Sequence, residues 1–153
     1  MNDESLPRTG GRRSALALLA ALLFGCADGY PDQDAALISP FDMSQSQRLA
    51  ALNGLGREAR GERRGWHYAL ESGCRLRTEL RQRGEDKQTG RHALVSAMEV
   101  LLQFDKAARR YELFLTADAS EAAPRLARLY DSARWTDAVQ ARLLLRLLIR
   151  DCR

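Results

Sequence analysis

The sequence predicts an all-α fold, a small irregular bundle of four or five helices spanning residues 42–153. Three observations predict it. Apolar residues in the readable segments recur at three-to-four spacing, the signature of one helix face. Helix-start chemistry stands ahead of the first and last of these segments, at Ser44 with Gln47 and at Thr136. No segment reads as a strand. With 45% hydrophobic residues the chain holds enough apolar material for a single packed core.

Each element follows in order. Ser44 with Gln47 makes a capping box, and Leu49, Leu52 and Leu55 continue the stripe until Gly54 and Gly56 weaken the helix. Residues 62–83 form the second expected helix, with Trp66, Ala69, Leu70, Gly73, Cys74, Leu76 and Leu80 on one side. Residues 84–90 read as a charged turn. The third helix, 92–115, has the longest stripe: Leu94, Ala97, Met98, Leu101, Phe104, Ala108, Tyr111 and Leu115. A break at 116–120 follows, then a short helix with Pro124 in its first turn and Leu126, Leu129 and Tyr130 on its face. Thr136 caps the last helix, whose apolar side carries Val139, Leu143, Leu144, Leu147, Leu148 and Cys152, widened by Leu145 and Ile149. That extra width suits either a covered helix or one that meets a partner.

Ahead of this domain, Ala15 to Gly25 is an almost unbroken apolar run that would reach roughly 16 Å as a helix, about half of a ~30 Å hydrocarbon core. It is short for a membrane span and lacks the polar face of a surface helix. Arg8, Arg12 and Arg13 precede it, which gives the layout of a signal peptide over residues 1–25. Leu23-Phe24-Gly25-Cys26 resembles the lipobox of bacterial lipoproteins, with Leu at −3, Gly at −1 and Cys at +1. The resemblance implies cleavage before Cys26, a diacylglyceryl group on its thiol, and acylation of the new amino terminus. Two or more acyl chains make a stable anchor. It also implies a periplasm-facing location in the bacterial envelope. By the same resemblance, Ala27 rather than Asp directly after Cys26 implies the outer membrane over the inner. Residues 26–41 form a lipidated linker whose Gly29, Pro31, Pro40, Asp28, Asp32 and Asp34 leave no sustained period.

With Cys26 taken by lipid, Cys74 and Cys152 remain in an oxidising compartment, where an even pair reads as a disulfide. Two free buried thiols are the alternative. No His or acidic residue stands near either cysteine at ligand spacing, so a metal pair is disfavoured.

The formal net charge of +4 is too small to indicate a nucleic-acid partner. Basic residues are nonetheless dense in one region: Arg57, Arg60, Arg63, Arg64, Arg75, Arg77, Arg81 and Arg83, interleaved with Glu58, Glu62, Glu71 and Glu79. The ordinary reading is a solvated face; the sharper one is a surface for anionic lipid heads or an acidic partner. Arg60, Arg63, Arg64, Trp66 and Tyr68 are the candidate partner-binding residues, because Trp, Tyr and Arg favour contact hot spots.

No catalytic constellation is present. Glu71 and Glu79 could in principle act as an acid/base pair, but no second motif supports them. No nucleophile triad order, phosphate-cradling glycine loop or zinc spacing appears, and no cofactor is expected beyond the covalent lipid. The expectation is therefore a tethered adaptor, chaperone or regulator of a larger envelope protein. Its size and anchor resemble pilotins that escort secretins and lipoproteins that modulate sensor kinases. A cell-wall enzyme or its activator is the remaining alternative.

Overall fold

In residues 75–81, Arg-Leu-Arg-Thr-Glu-Leu-Arg, the inward-facing Leu76, Thr78 and Leu80 alternate with charged residues that face outward, and the segment forms a strand rather than a helix. This local fact overturns the all-α expectation. The computed structural model describes residues 38–58, 64–120 and 122–152. Among them, helix α1 (Gln45–Glu58) is followed by six strands, β1 (Arg64–Glu71), β2 (Arg75–Gln82), β3 (Gln88–Ala93), β4 (Glu99–Asp105), β5 (Arg110–Thr116) and β6 (Arg125–Ser132), then by helix α2 (Trp135–Arg150). The strands make two antiparallel meanders, ordered β1-β2-β3 and β4-β5-β6. The architecture is mainly β, not a helical bundle.

The first and last expected helices are present. The capping box closes α1 as the sequence suggested: the Ser44 backbone N–H donates to Gln47 Oε1 at 2.8 Å and the Gln47 N–H donates to Ser44 Oγ at 3.3 Å. At α2 the cap differs, since Arg134 occupies the N-cap position without a side-chain cap and Thr136 lies inside the first turn. The expected helix over 62–83 is the β1–β2 hairpin, and that over 92–115 is the end of β3, a turn, and the β4–β5 hairpin. The expected short helix after Pro124 is β6.

Register explains the burial. Trp66 faces Leu80, Tyr68 faces Thr78 and Leu70 faces Leu76, and of these all but the half-buried Leu70 are inside. The intervening pairs, His67 with Glu79 and Glu71 with Arg75, lie on the opposite, charged face. The hairpin turn Ser72-Gly73-Cys74 uses left-handed backbone at Gly73 (φ 69°) and at Cys74 (φ 53°). Cys74, expected in mid-helix, therefore sits in a turn. It bonds Cys152, just past α2, with the two Cα atoms 5.6 Å apart across 78 residues of sequence.

One continuous core joins Leu52 and Leu55 of α1, Trp66, Tyr68, Leu76 and Leu80 of the first sheet, Val100, Leu113, Leu115, Leu129 and Tyr130 of the second, and Leu144, Leu145, Leu148 and Ile149 of α2. Helix α2 packs on α1 and on β4, β5 and β6, so it is covered from more than one side. This accounts for its wide apolar stripe: Leu145 and Ile149 are inside and offer nothing to a partner.

Helix α1 lies along the outer edge of β1. The Asn53 amide donates to Tyr68 O at 3.0 Å and accepts the Tyr68 N–H at 2.8 Å, completing the ladder where no further strand follows. One turn on, Gly56 meets the Trp66 carbonyl so closely that a Cβ there would stand 2.2 Å from its oxygen. Arg48 is buried on the same helix. It donates to Pro40 O (2.9 Å) and Phe41 O (3.0 Å) and pairs with Asp151, tying the segment before α1 to the end of α2.

Candidate functional site

The polar centre of the fold is Asp131, a fully buried carboxylate on β6. Trp66 Nε1 donates to Oδ1 at 2.8 Å, while Arg64 Nη1 and Arg110 Nε donate to Oδ2 at 2.8 and 2.6 Å. Beside it the Tyr68 hydroxyl donates to Leu129 O at 2.7 Å, and the Trp66 and Tyr68 rings stack 6.2 Å apart at 11°. Burial alone would raise the Asp131 pKa, but the hydrogen bonds from Trp66 and Arg64 and the charges of Arg110 and Arg64 outweigh it and hold the carboxyl below its ordinary range. A carboxylate so enclosed is out of reach of a substrate. It fixes Arg64 instead.

Arg64 lines a cavity of about 570 Å³ together with Arg57, Gly65, Trp66, His67, Arg81, Gln82 and Arg83. The fold brings these residues together by simple means. Antiparallel pairing sets Arg64 opposite Gln82 and Gly65 opposite Arg81, so the start of β1 and the end of β2 share one end of the sheet. The docking of Asn53 and Gly56 on β1 delivers the last turn of α1, with Arg57, to the same end. None of the described residues lining the cavity is acidic. Besides Asp131, the carboxylate partners of lining residues are Glu85, which accepts from the Gln82 amide, and Glu79, whose oxygens lie 3.8 Å from Arg81 Nη2 and 3.4 Å from Lys87 Nζ.

Of the five residues predicted to bind a partner, Arg64 is half-buried at the cavity wall. Trp66 and Tyr68 are buried, 5% and 1% exposed, and belong to the core rather than to a contact surface. In a strand, residues two apart share a face, so both rings turn inward and His67 turns out. Arg60 and Arg63 lie outside the described residues, as does Cys26. Sequence reasoning misses Arg57, His67, Arg81 and Arg83 as members of one site, although the three arginines fall within the basic density.

The Glu71 and Glu79 carboxylates each stand beside cations. Glu71 faces Arg91 at 3.6 Å and Arg77 at 3.9 Å. Partial desolvation would raise the Glu79 pKa, but the charge and hydrogen bond of Lys87, with the charges of Arg77 and His67, bring it below the ordinary value. An ionised carboxylate tied to cations is a poor proton donor at neutral pH. Among the described residues no group of three or more His, Cys, Asp or Glu side chains converges on a metal position. A second concavity of about 360 Å³, between Phe41, Met98 and the α2 residues Leu143 and Leu147, is crossed at its rim by the Arg146–Glu99 ion pair at 3.0 Å. What the arginine-lined cavity offers is positive potential in a concave setting, suited to binding anions.

Comparison with known protein families, with curated proteins and with solved structures returned no match.

Proposed function

We propose that this protein is a lipid-anchored, periplasm-facing envelope lipoprotein that acts by binding, as an adaptor or regulator of a larger envelope protein. The observation that carries the reading is the division of its cysteines. Cys26 stands at +1 of a lipobox, and the other two, Cys74 and Cys152, are bonded to each other. Disulfides persist in oxidising compartments, so the bonded pair supports the export that the lipobox implies. The tether would hold the domain near the leaflet and raise its local concentration, so a modest affinity suffices for a membrane partner. The basic end of the first sheet is the surface best suited to such a partner. A helical groove of the kind expected of a helical pilotin is not proposed, because the fold that would supply it is absent.

The test compares wild type with Cys26→Ser in a bacterium fed an alkyne analogue of palmitate, with a photo-crosslinking residue at the exposed position 67 or, as a reference, at position 106. The expected result is labelled wild type in the envelope fraction, an unlabelled variant, and a discrete adduct with an envelope protein from position 67 alone. Unlabelled wild type in the cytoplasm overturns the anchor. A labelled, envelope-located chain that gives no adduct from position 67 overturns the adaptor role at this face.

A further inference from the structure

We propose that the cavity between the last turn of α1 and the open end of the β1–β2 ladder is an anion site that takes a phosphate-bearing ligand. The site goes beyond the tethered-adaptor reading and does not depend on acylation of Cys26.

Four arginines, Arg57, Arg64, Arg81 and Arg83, line the cavity from α1, from β1 and from the end of β2, with His67 and with Gln82, whose amide donates to Glu85. Cations gathered in a concave site repel one another, and an anion bound among them relieves that repulsion. Elsewhere on the outer face of this sheet Arg77 and Arg91 lie beside Glu71 and Lys87 beside Glu79, while Arg75 at the far end has no ion pair among the described residues. At the cavity, among the described residues, Arg81 has such a partner on that face, Glu79 at 3.8 Å, and Arg57 and Arg83 have no ion pair.

The site is also built in advance. Arg64 is held from behind by the buried Asp131, itself fixed by Trp66 and Arg110, so its guanidinium loses little freedom when a ligand arrives. Arg57 is placed by the seating of Gly56 on Trp66 and by the Asn53 bonds to Tyr68. A volume of about 570 Å³ falls within the range of small-ligand cavities. Cations arriving from three elements suit a tetrahedral anion with several charged oxygens better than a planar carboxylate, which one guanidinium satisfies in its own plane. The phosphate could belong to a phospholipid headgroup or to a free phosphate compound, and the chemistry recognised is the same.

The experiment uses the full chain with Cys26→Ser, oxidised, so that acylation plays no part. One arm titrates inorganic pyrophosphate by calorimetry at low and at raised salt. The other floats the protein with phosphatidylcholine vesicles, with and without phosphatidic acid. Each is repeated with Arg57→Gln/Arg83→Gln, both exposed positions, and with Lys106→Gln/Arg109→Gln, which removes the same charge from the exposed β4–β5 turn. The expected result is binding that the first double variant weakens about tenfold or more and the second changes by less than about twofold. Binding in the pyrophosphate arm assigns a soluble phosphate ligand, and binding only to phosphatidic acid vesicles assigns a headgroup. Loss shared equally by both variants, loss in neither, or no binding in either arm overturns the site. Matching far-ultraviolet circular dichroism and melting temperature for the two double variants keep a folding defect from being read as lost binding.

Discussion

Replacing Asp131 with Asn removes the charge at the centre of the fold while leaving its shape. In the native protein the carboxylate accepts one hydrogen bond from Trp66 and one from each of Arg64 and Arg110, whose side chains are 30% and 15% exposed. The amide oxygen of Asn still accepts from one of these donors. The two guanidiniums then lose the charge of Asp131 while remaining largely out of water. Removing one partner of a buried pair costs about 3–5 kcal/mol, and the retained amide bond places this case near about 3 kcal/mol. That is a large part of the ~5–15 kcal/mol that holds a domain together. Equilibrium urea unfolding of the oxidised protein at neutral pH measures it as a lower midpoint at unchanged slope. The sign with pH follows from the depressed carboxyl. Its contribution is fully present above the unfolded-state value of roughly 4 and is lost as pH falls through the lower folded-state value. The gap between wild type and Asp131→Asn therefore stays constant from pH 7 to about 5 and narrows in stronger acid. A gap under about 1 kcal/mol at neutral pH, or one that widens on acidification, refutes the reasoning.

Four further substitutions test the packing of α1 and the closure of the chain. Gly54 and Gly56 sit in the same helix but predict opposite signs. Gly54→Ala meets only the end of the Arg57 side chain at 3.9 Å and gains about 0.5–1 kcal/mol of helix propensity, whereas Gly56→Ala drives a methyl into the Trp66 carbonyl and loses about 1–3 kcal/mol, both read by thermal melting. Asn53→Ala strands the N–H and C=O of Tyr68 at the sheet edge and costs about 1–3 kcal/mol, with faster amide exchange at Tyr68 as the local signature. Cys152→Ser opens a closure spanning 78 residues and lowers stability by about 2–5 kcal/mol, after which added reductant lowers it no further.

The two helices were legible because their signals are local. Ser44 with Gln47 is a reciprocal cap that needs no tertiary contact, and the stripe of α2 is dense enough to fix its period. The strands were obscured by spacings that serve both periods. Leu76 and Leu80 stand four apart, one helical turn, yet with Thr78 between them they also form a strand face. Likewise the long stripe from Leu94 to Leu115 crosses two turns. One is marked by Asp105, whose Oδ1 accepts the backbone N–H of Ala107 at 2.8 Å and of Ala108 at 3.1 Å, a local turn that an Ala- and Arg-rich sequence disguised as helix. The Arg density was visible in the sequence. Its convergence was not, since Asp131 reaches Trp66 across 65 residues and only the assembled sheets bring Arg57, Arg64 and Arg83 to one cavity.

The measurement that tests the account most directly is the intact mass of the protein expressed in a bacterium, for wild type and Cys26→Ser, before and after reduction. The account predicts a mature wild-type species beginning at an acylated Cys26 that becomes about 2 Da heavier on reduction. It predicts no acylated species from the variant. An unprocessed, unacylated wild-type chain whose mass does not change on reduction would contradict both the anchor and the bonded pair.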